Sequence, residues 1–107
     1  IDAVYGHNDD RAIGAYEAAE GVGRENGLIC VGIDGMKETY ESIAAGRVSA
    51  TMVYPPCGAE AVDLAVKILR NEPVPHEVLV PIKIIDEDNV EHEMNTARSY
   101  LEGRALK

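Results

Sequence analysis

The chain has 107 residues, 46% of them hydrophobic and 27% charged, with a net charge of −9, which suits one globular domain or part of a larger one. No basic stripe interrupts the acidic balance, and this excludes a nucleic-acid surface within the segment. No run approaches the ~20 apolar residues of a membrane span, and Cys30 and Cys57, in neither a CxxC pair nor a zinc spacing, read as two unrelated buried thiols that allow one disulfide at most.

The chain opens on Ile1 rather than Met, so an upstream portion is expected and the lack of a visible signal peptide says nothing about destination. Residues 2–6, "DAVYG", predict a short strand that runs into the polar knot His7–Asn8–Asp9–Asp10. A helix is predicted over about 9–24, with Ala12, Ala15, Ala19 and Val22 as a stripe of small side chains at helical intervals. Either Asn8 or Asp9 can cap its first turn, since their side-chain oxygens accept bonds from the orphan N–H groups there. Asp10 adds a first-turn negative charge, favourable near the positive end of the helix dipole.

After Gly27, "LICVGI" (28–33) is nearly continuous in apolar residues, as in strands covered on both faces in parallel sheets. Asp34–Gly35 then makes a turn, and a helix over 36–45 carries Met36, Tyr40, Ile43 and Ala44 on one face and stops at Gly46. "SATMVY" (49–54) is the third strand, ended by Pro55–Pro56 because proline lacks an N–H and constrains its predecessor. The clearest helix spans about 58–70, where Ala61, Leu64, Ala65, Ile68 and Leu69 follow the i, i+3, i+4, i+7, i+8 pattern. "NEPVP" is a linker, and "EVLVPIKIID" (77–86) is a strand whose Pro81 argues for an edge or a crossing between layers. An acidic turn at 86–89 leads to a last helix over about 90–102, with Val90, Met94, Ala97 and Leu101 on one side. The alternation β-α-β-α-β-α-β-α predicts an α/β fold with a mostly parallel sheet flanked by helices.

Ligands of open parallel sheets bind beyond the carboxyl ends of the strands. The first strand delivers His7, Asn8 and Asp9 to that edge, the second Asp34 and Gly35, the third Tyr54. An amide donates and accepts, a carboxylate accepts at several positions, and a tyrosine adds an apolar face with a polar tip. The set suits a ligand covered in hydroxyl groups.

The stretches "DAVYGHNDDRAIGAYEAAEGVG", "VGIDGMKETYESIAAGRVSATMV" and "VKILRNEPVP" resemble the carboxyl-terminal part of the periplasmic sugar-binding proteins of the ribose and galactose type. The order strand–ND–helix, VG-D-G, AG-x-x-A-T, helix and short proline linker covers most of residues 1–85. The resemblance implies a two-lobed protein with a cleft between lobes joined by three crossovers. Residues 1–54 and about 82–107 would be elements of the second lobe, and about 55–81 a segment of the first. It further implies that Asn8 and Asp34 bind sugar hydroxyls, which leaves the capping of the first helix to Asp9. At Tyr54 the family commonly has Gln or Asn that also touches sugar, so the identity of the sugar is not implied. Residues 87–107 run beyond the family's usual end.

Plainer readings stand beside these. Asp34–Gly35 is a common turn dipeptide, raised only by its place after a buried strand. Arg11, one turn past Asn8, either forks onto a hydroxyl or carboxylate or is a solvated surface arginine; Tyr54 either lines the cleft or packs at the hinge. His7, His76 and His92 share no metal-ligand spacing with acids or cysteines. No nucleophile–base pair and no paired catalytic carboxylates support an enzyme, and no cofactor is implied.

The expected function is the solute-binding component of an ABC importer, which takes a sugar or polyol and works with a membrane permease. The alternatives on the same fold are an effector domain of a lactose-repressor-type regulator and an extracellular sensor module of a kinase. The location is periplasmic or extracellular, lipid-anchored or soluble, and cytoplasmic for the repressor alternative. As an isolated chain, the stripe on the 58–70 helix is expected to find its partner in a second copy, giving a homodimer.

Overall fold

β1 (Ala3–Tyr5), β2 (Ile29–Ile33) and β3 (Ala50–Val53) run parallel, and β4 (Lys83–Asp86) pairs antiparallel with β3, for a sheet order of β1-β2-β3-β4. This is a computed structural model that describes residues 1–96. α1 (Asp9–Glu20), α2 (Lys37–Ala44) and α3 (Gly58–Leu69) follow the first three strands, and residues 90–96 are helical after β4. The fold is therefore the expected α/β arrangement with a mostly parallel sheet. Ala97 and Leu101, expected on the last helix, lie outside the described residues.

Two boundaries differ from the sequence expectation. α1 ends at Glu20 rather than near residue 24, because Gly21-Val22-Gly23 supplies two poor helix formers and Gly23 takes a positive φ of 68°. Of the small-residue stripe only Ala12 is fully buried, and Val22 lies past the helix in solvent. β4 occupies only the last four of the ten residues expected at 77–86, since Pro81 has no N–H to give a ladder. Its antiparallel direction at a sheet edge agrees with the position that proline implied.

Side chains of a strand alternate between faces, and the register sorts them. Gly32, Thr51 and Ile85 lie abreast and are all buried. On this face Ile85 packs with Ile43 of α2, Val48 and Val90, flanked by Ile13 of α1, Tyr40, Val53 and Met94. Burial raises the Tyr40 phenol above its ordinary pKa, Glu93 adds to the rise, and Lys83 opposes it. On the other face Ile33, Met52 and Ile84 lie abreast, as do Tyr5, Val31, Ala50 and Asp86. Tyr5, Ile29 and Ile84 on that face are each more than half exposed. The sheet thus has one covered face within the described residues.

α3 has no buried residue, and no residue between 70 and 82 is buried. The radius of gyration is accordingly 18.0 Å, against roughly 13 Å for a compact domain of 100 residues.

Both cysteines are free. Cys30 is fully buried in β2, and burial pushes its thiol pKa up. Cys57, expected to be buried, is only half-buried; it precedes α3 at φ 56° and its Sγ donates to the Pro55 carbonyl at 3.2 Å. A native titration with a thiol-specific chromogenic disulfide should consume one thiol per chain, the one on Cys57. Cys30 should react only on unfolding, because the reactive thiolate is both scarce and inaccessible there. Two fast thiols in the native chain would contradict this burial.

Candidate functional site

Because β1, β2 and β3 are parallel, their carboxyl ends share one edge of the sheet, and the loops leaving them carry the residues singled out above. The first loop is tight. Gly6 donates its N–H to the Val31 carbonyl at 2.8 Å, and a Cβ placed on it would stand 2.6 Å from the Ala12 nitrogen and 2.7 Å from the Asn8 carbonyl oxygen. Only glycine lets the chain fold back so closely onto the helix that follows.

Asn8 is the N-cap of α1. Its backbone is extended (φ −151°, ψ 172°), and Oδ1 accepts the Arg11 N–H at 3.1 Å. Among the described residues its side-chain NH₂ has no protein partner, so two donors are left for other use. Arg11 is exposed.

Asp9 does not cap α1, contrary to the sequence expectation. It is fully buried, and its carboxylate points away from its own helix end toward the sheet. Oδ2 accepts the N–H groups of Gly35 and Met36 at 2.9 and 2.8 Å, and Oδ1 accepts the Thr51 hydroxyl at 2.6 Å. The physical reason lies in β2. A Cβ on Gly32 would collide with the Asp9 carboxylate, so the bare glycine opens the space that the carboxylate fills. Met36, which begins α2, has no side-chain cap of its own; Asp9 takes over that service from 27 residues upstream.

Asp34 sits at φ 131°, a region that side-chain-bearing residues rarely adopt and that concentrates at functional turns. Its N–H donates to the Met52 carbonyl at 3.0 Å, and its Oδ1 accepts the Tyr54 hydroxyl at 3.2 Å. Gly35 follows at φ 79°, with Val53 in the space where a Cβ would go. Asp34 is half-buried and Tyr54 is 53% exposed. Among the described residues the second carboxylate oxygen of Asp34 has no hydrogen-bond partner, which leaves it as an acceptor beside the phenol.

The structure thus assembles Asp34 with Tyr54, and Asn8 with the start of α1 and Arg11. Asp9 joins the two groups, since it neighbours Asn8 in sequence and bonds the residue after Asp34. His7 is exposed, its ring centroid 5.4 Å from that of Tyr5 and tilted by 48°; His76 and His92 are exposed elsewhere. Thr51 was missed by the sequence reading. A lone Gly32 inside an apolar strand was the signal, since glycine there marks the close approach of another group.

The fold is that of the periplasmic solute-binding proteins, in part. The chain is homologous to the ribose import binding proteins and to related periplasmic sugar-binding proteins. It is 35% identical over 86 residues to the ribose import binding protein RbsB of Bacillus subtilis, an alignment that takes in 78% of this chain and 28% of the relative. Among solved structures it superposes on the fructose-binding periplasmic domain of a hybrid two component system, with a TM-score of 0.83, 38% identity, and coverage of 97% of this chain and 36% of that one. An ABC transporter solute binding protein from Bacillus halodurans, solved with bound myo-inositol, gives a TM-score of 0.76 at 33% identity, over 87% of this chain and 33% of that one. The chain therefore spans about 30% of the length of the curated relatives it matches. No family model matches it.

Proposed function

We propose that this chain is a segment of the solute-binding component of an ABC importer and contributes one wall of a cleft that takes a sugar or polyol. The observation that carries the reading is the shared edge on which three parallel strand ends present the Asn8 amide, the Asp34 carboxylate and the Tyr54 phenol. An amide, a carboxylate and a phenol all bond hydroxyls, and this set lacks an activated nucleophile among the described residues, which supports binding rather than catalysis. Asn8 donates through its NH₂, Asp34 accepts, Tyr54 bounds the site on the β3 side, and Arg11 reaches in from the first turn of α1.

In this reading residues 1–54 and about 82–107 belong to one lobe, while about 55–81 pass through the other. That no residue of α3 is buried among the described residues supports that division, since a helix with an apolar stripe left uncovered is suited to a second body. The location that follows is periplasmic or extracellular, and the partner is a membrane permease. When the 107-residue chain stands alone, a second copy takes the place of that body.

A sensor role is the second reading, supported by the similarity to a periplasmic domain of a hybrid two component system. The ligand chemistry is the same in both cases.

The test is a graft of this chain's aligned residues into the Bacillus subtilis ribose import binding protein, titrated calorimetrically with ribose, fructose and myo-inositol. Asn8→Ala and Asp34→Ala should each weaken binding of the preferred ligand by about 1–3 kcal/mol, roughly 5- to 150-fold, through lost hydrogen bonds. Unchanged affinity in both variants, with the graft folded, would remove this edge from the binding site.

A further inference from the structure

Asn8 and Asp34 come from different strand ends, 26 residues apart in sequence, yet a ligand must meet both at one spacing. Among the described residues, one side chain links the two loops directly. Asp9, the neighbour of Asn8, bonds through Oδ2 to the N–H of Gly35, the neighbour of Asp34, at 2.9 Å, and to that of Met36 at 2.8 Å. Oδ1 holds the Thr51 hydroxyl at 2.6 Å, three residues before Tyr54. Asn8 thus adjoins this carboxylate in sequence, Asp34 adjoins a residue it bonds, and Tyr54 lies three residues beyond another. That carboxylate is fully buried, so it touches no ligand itself.

We propose that Asp9 is a positioning residue for ligand capture, setting the spacing of Asn8 and Asp34 by tying the loops after β1 and β2, and Thr51 inside β3, to a single buried group. The inference rests on the reading of Asn8 and Asp34 as hydroxyl-binding residues. Two features favour it over a purely structural bond. Asp34 is held at φ 131°, and Gly35 at φ 79° next to it; a turn of that conformation persists only where its surroundings over-determine it. The Asp9 bonds fall on the two N–H groups immediately after Asp34. Preorganised polar groups on a rigid edge also bind without an ordering cost at the moment of capture.

Asp9→Asn separates geometry from charge. Its amide can accept from Gly35 and Met36 through Oδ1 and donate to the Thr51 hydroxyl through Nδ2, which preserves all three links in neutral form. Asp9→Ala removes all three. Amide hydrogen exchange by nuclear magnetic resonance on the 107-residue chain reads the outcome. In Asp9→Ala the Gly35 and Met36 amides should exchange at least tenfold faster relative to the ladder amides of β2 and β3, and Asp9→Asn should restore most of the protection. Should Asp9→Ala fail to fold, Asp9→Leu supplies the loss variant, since it keeps the bulk beside Gly32 and offers no acceptor, with faster relative exchange at the same two amides.

A second arm uses ribose at tens of millimolar as the probe. In the native chain the Asn8 side-chain amide and the Asp34 backbone amide should both shift, and in the loss variant the Asp34 shift should shrink while the Asn8 shift stays. Relative protection of Gly35 and Met36 that is unchanged in the folded loss variant overturns the proposal. So does an Asp34 shift equal to that of the native chain. A native chain that shows no shift at either residue counts against the sugar reading instead, and the exchange arm still decides whether Asp9 fixes the turn.

Discussion

Gly32→Ala should lower the stability of the chain by about 2–4 kcal/mol, although it adds a single methyl group in the middle of a strand. The added Cβ would meet the Asp9 carboxylate, the Asp9 Cα at 3.1 Å and the Ala12 Cβ at 3.3 Å. No far end of a flexible side chain is available to yield, because the carboxylate is held by three hydrogen bonds. Overpacking a close core costs about 1–3 kcal/mol, and each buried donor left unpaired when Asp9 is displaced adds about 1–3 more. For a chain of this length the melting temperature should fall by about 10 °C or more. Asp9→Ala should cost a similar amount by abandoning the Gly35, Met36 and Thr51 donors. The decisive measurement is the double variant in a urea-unfolding cycle. Both single changes break the same contact, so the double should lie well short of their sum, with a coupling above about 1 kcal/mol. Strict additivity would mean that the glycine and the carboxylate act separately.

The second large effect concerns association. Leu64→Glu should convert the isolated chain from a dimer to a monomer at micromolar concentration, as read by sedimentation or light scattering. Ala61, Leu64, Ala65, Ile68 and Leu69 form a helical stripe on α3, and of these only Leu64 is even half-buried. Burying a leucine side chain is worth about 1.5–3 kcal/mol. A twofold interface counts it twice, so its loss should raise the dimer dissociation constant by about 10²–10⁴. A native chain that stays monomeric at high concentration, with Leu64→Glu changing neither association nor stability, would defeat the dimer. It would also leave the open sheet face of Ile29, Ile33, Met52 and Ile84 as the surface to test next.

What the sequence determined by itself is whatever depends on neighbours a few residues away. Helical periodicity placed α1, α2 and α3, because a helix is built from i to i+4 contacts. The apolar run at 28–33 marked β2 as a strand, although it implied cover on both faces and only one is covered among the described residues; Gly46 and Pro55–Pro56 marked ends. Asn8, Asp34 and Tyr54 could be placed at strand ends by counting alone, and the motifs pointed to the periplasmic sugar-binding proteins to which the chain is homologous.

Only the tertiary structure decided the roles inside the polar knot. Asn8 and Asp9 are equally good caps on paper, and the choice between them turned on residues far along the chain. Asp9 finds its partners 26, 27 and 42 residues away, in a space that exists because residue 32 has no side chain. A buried carboxylate needs its hydrogen bonds satisfied, and nothing within one helical turn could say that Gly35, Met36 and Thr51 would converge to do it. Asn8, left at the surface, took the cap instead. The direction of β4 was hidden for a related reason. A strand's own residues carry alternation but not polarity relative to a neighbour, and the long exposed path through α3 and residues 70–82 lets the chain return to β3 from either end.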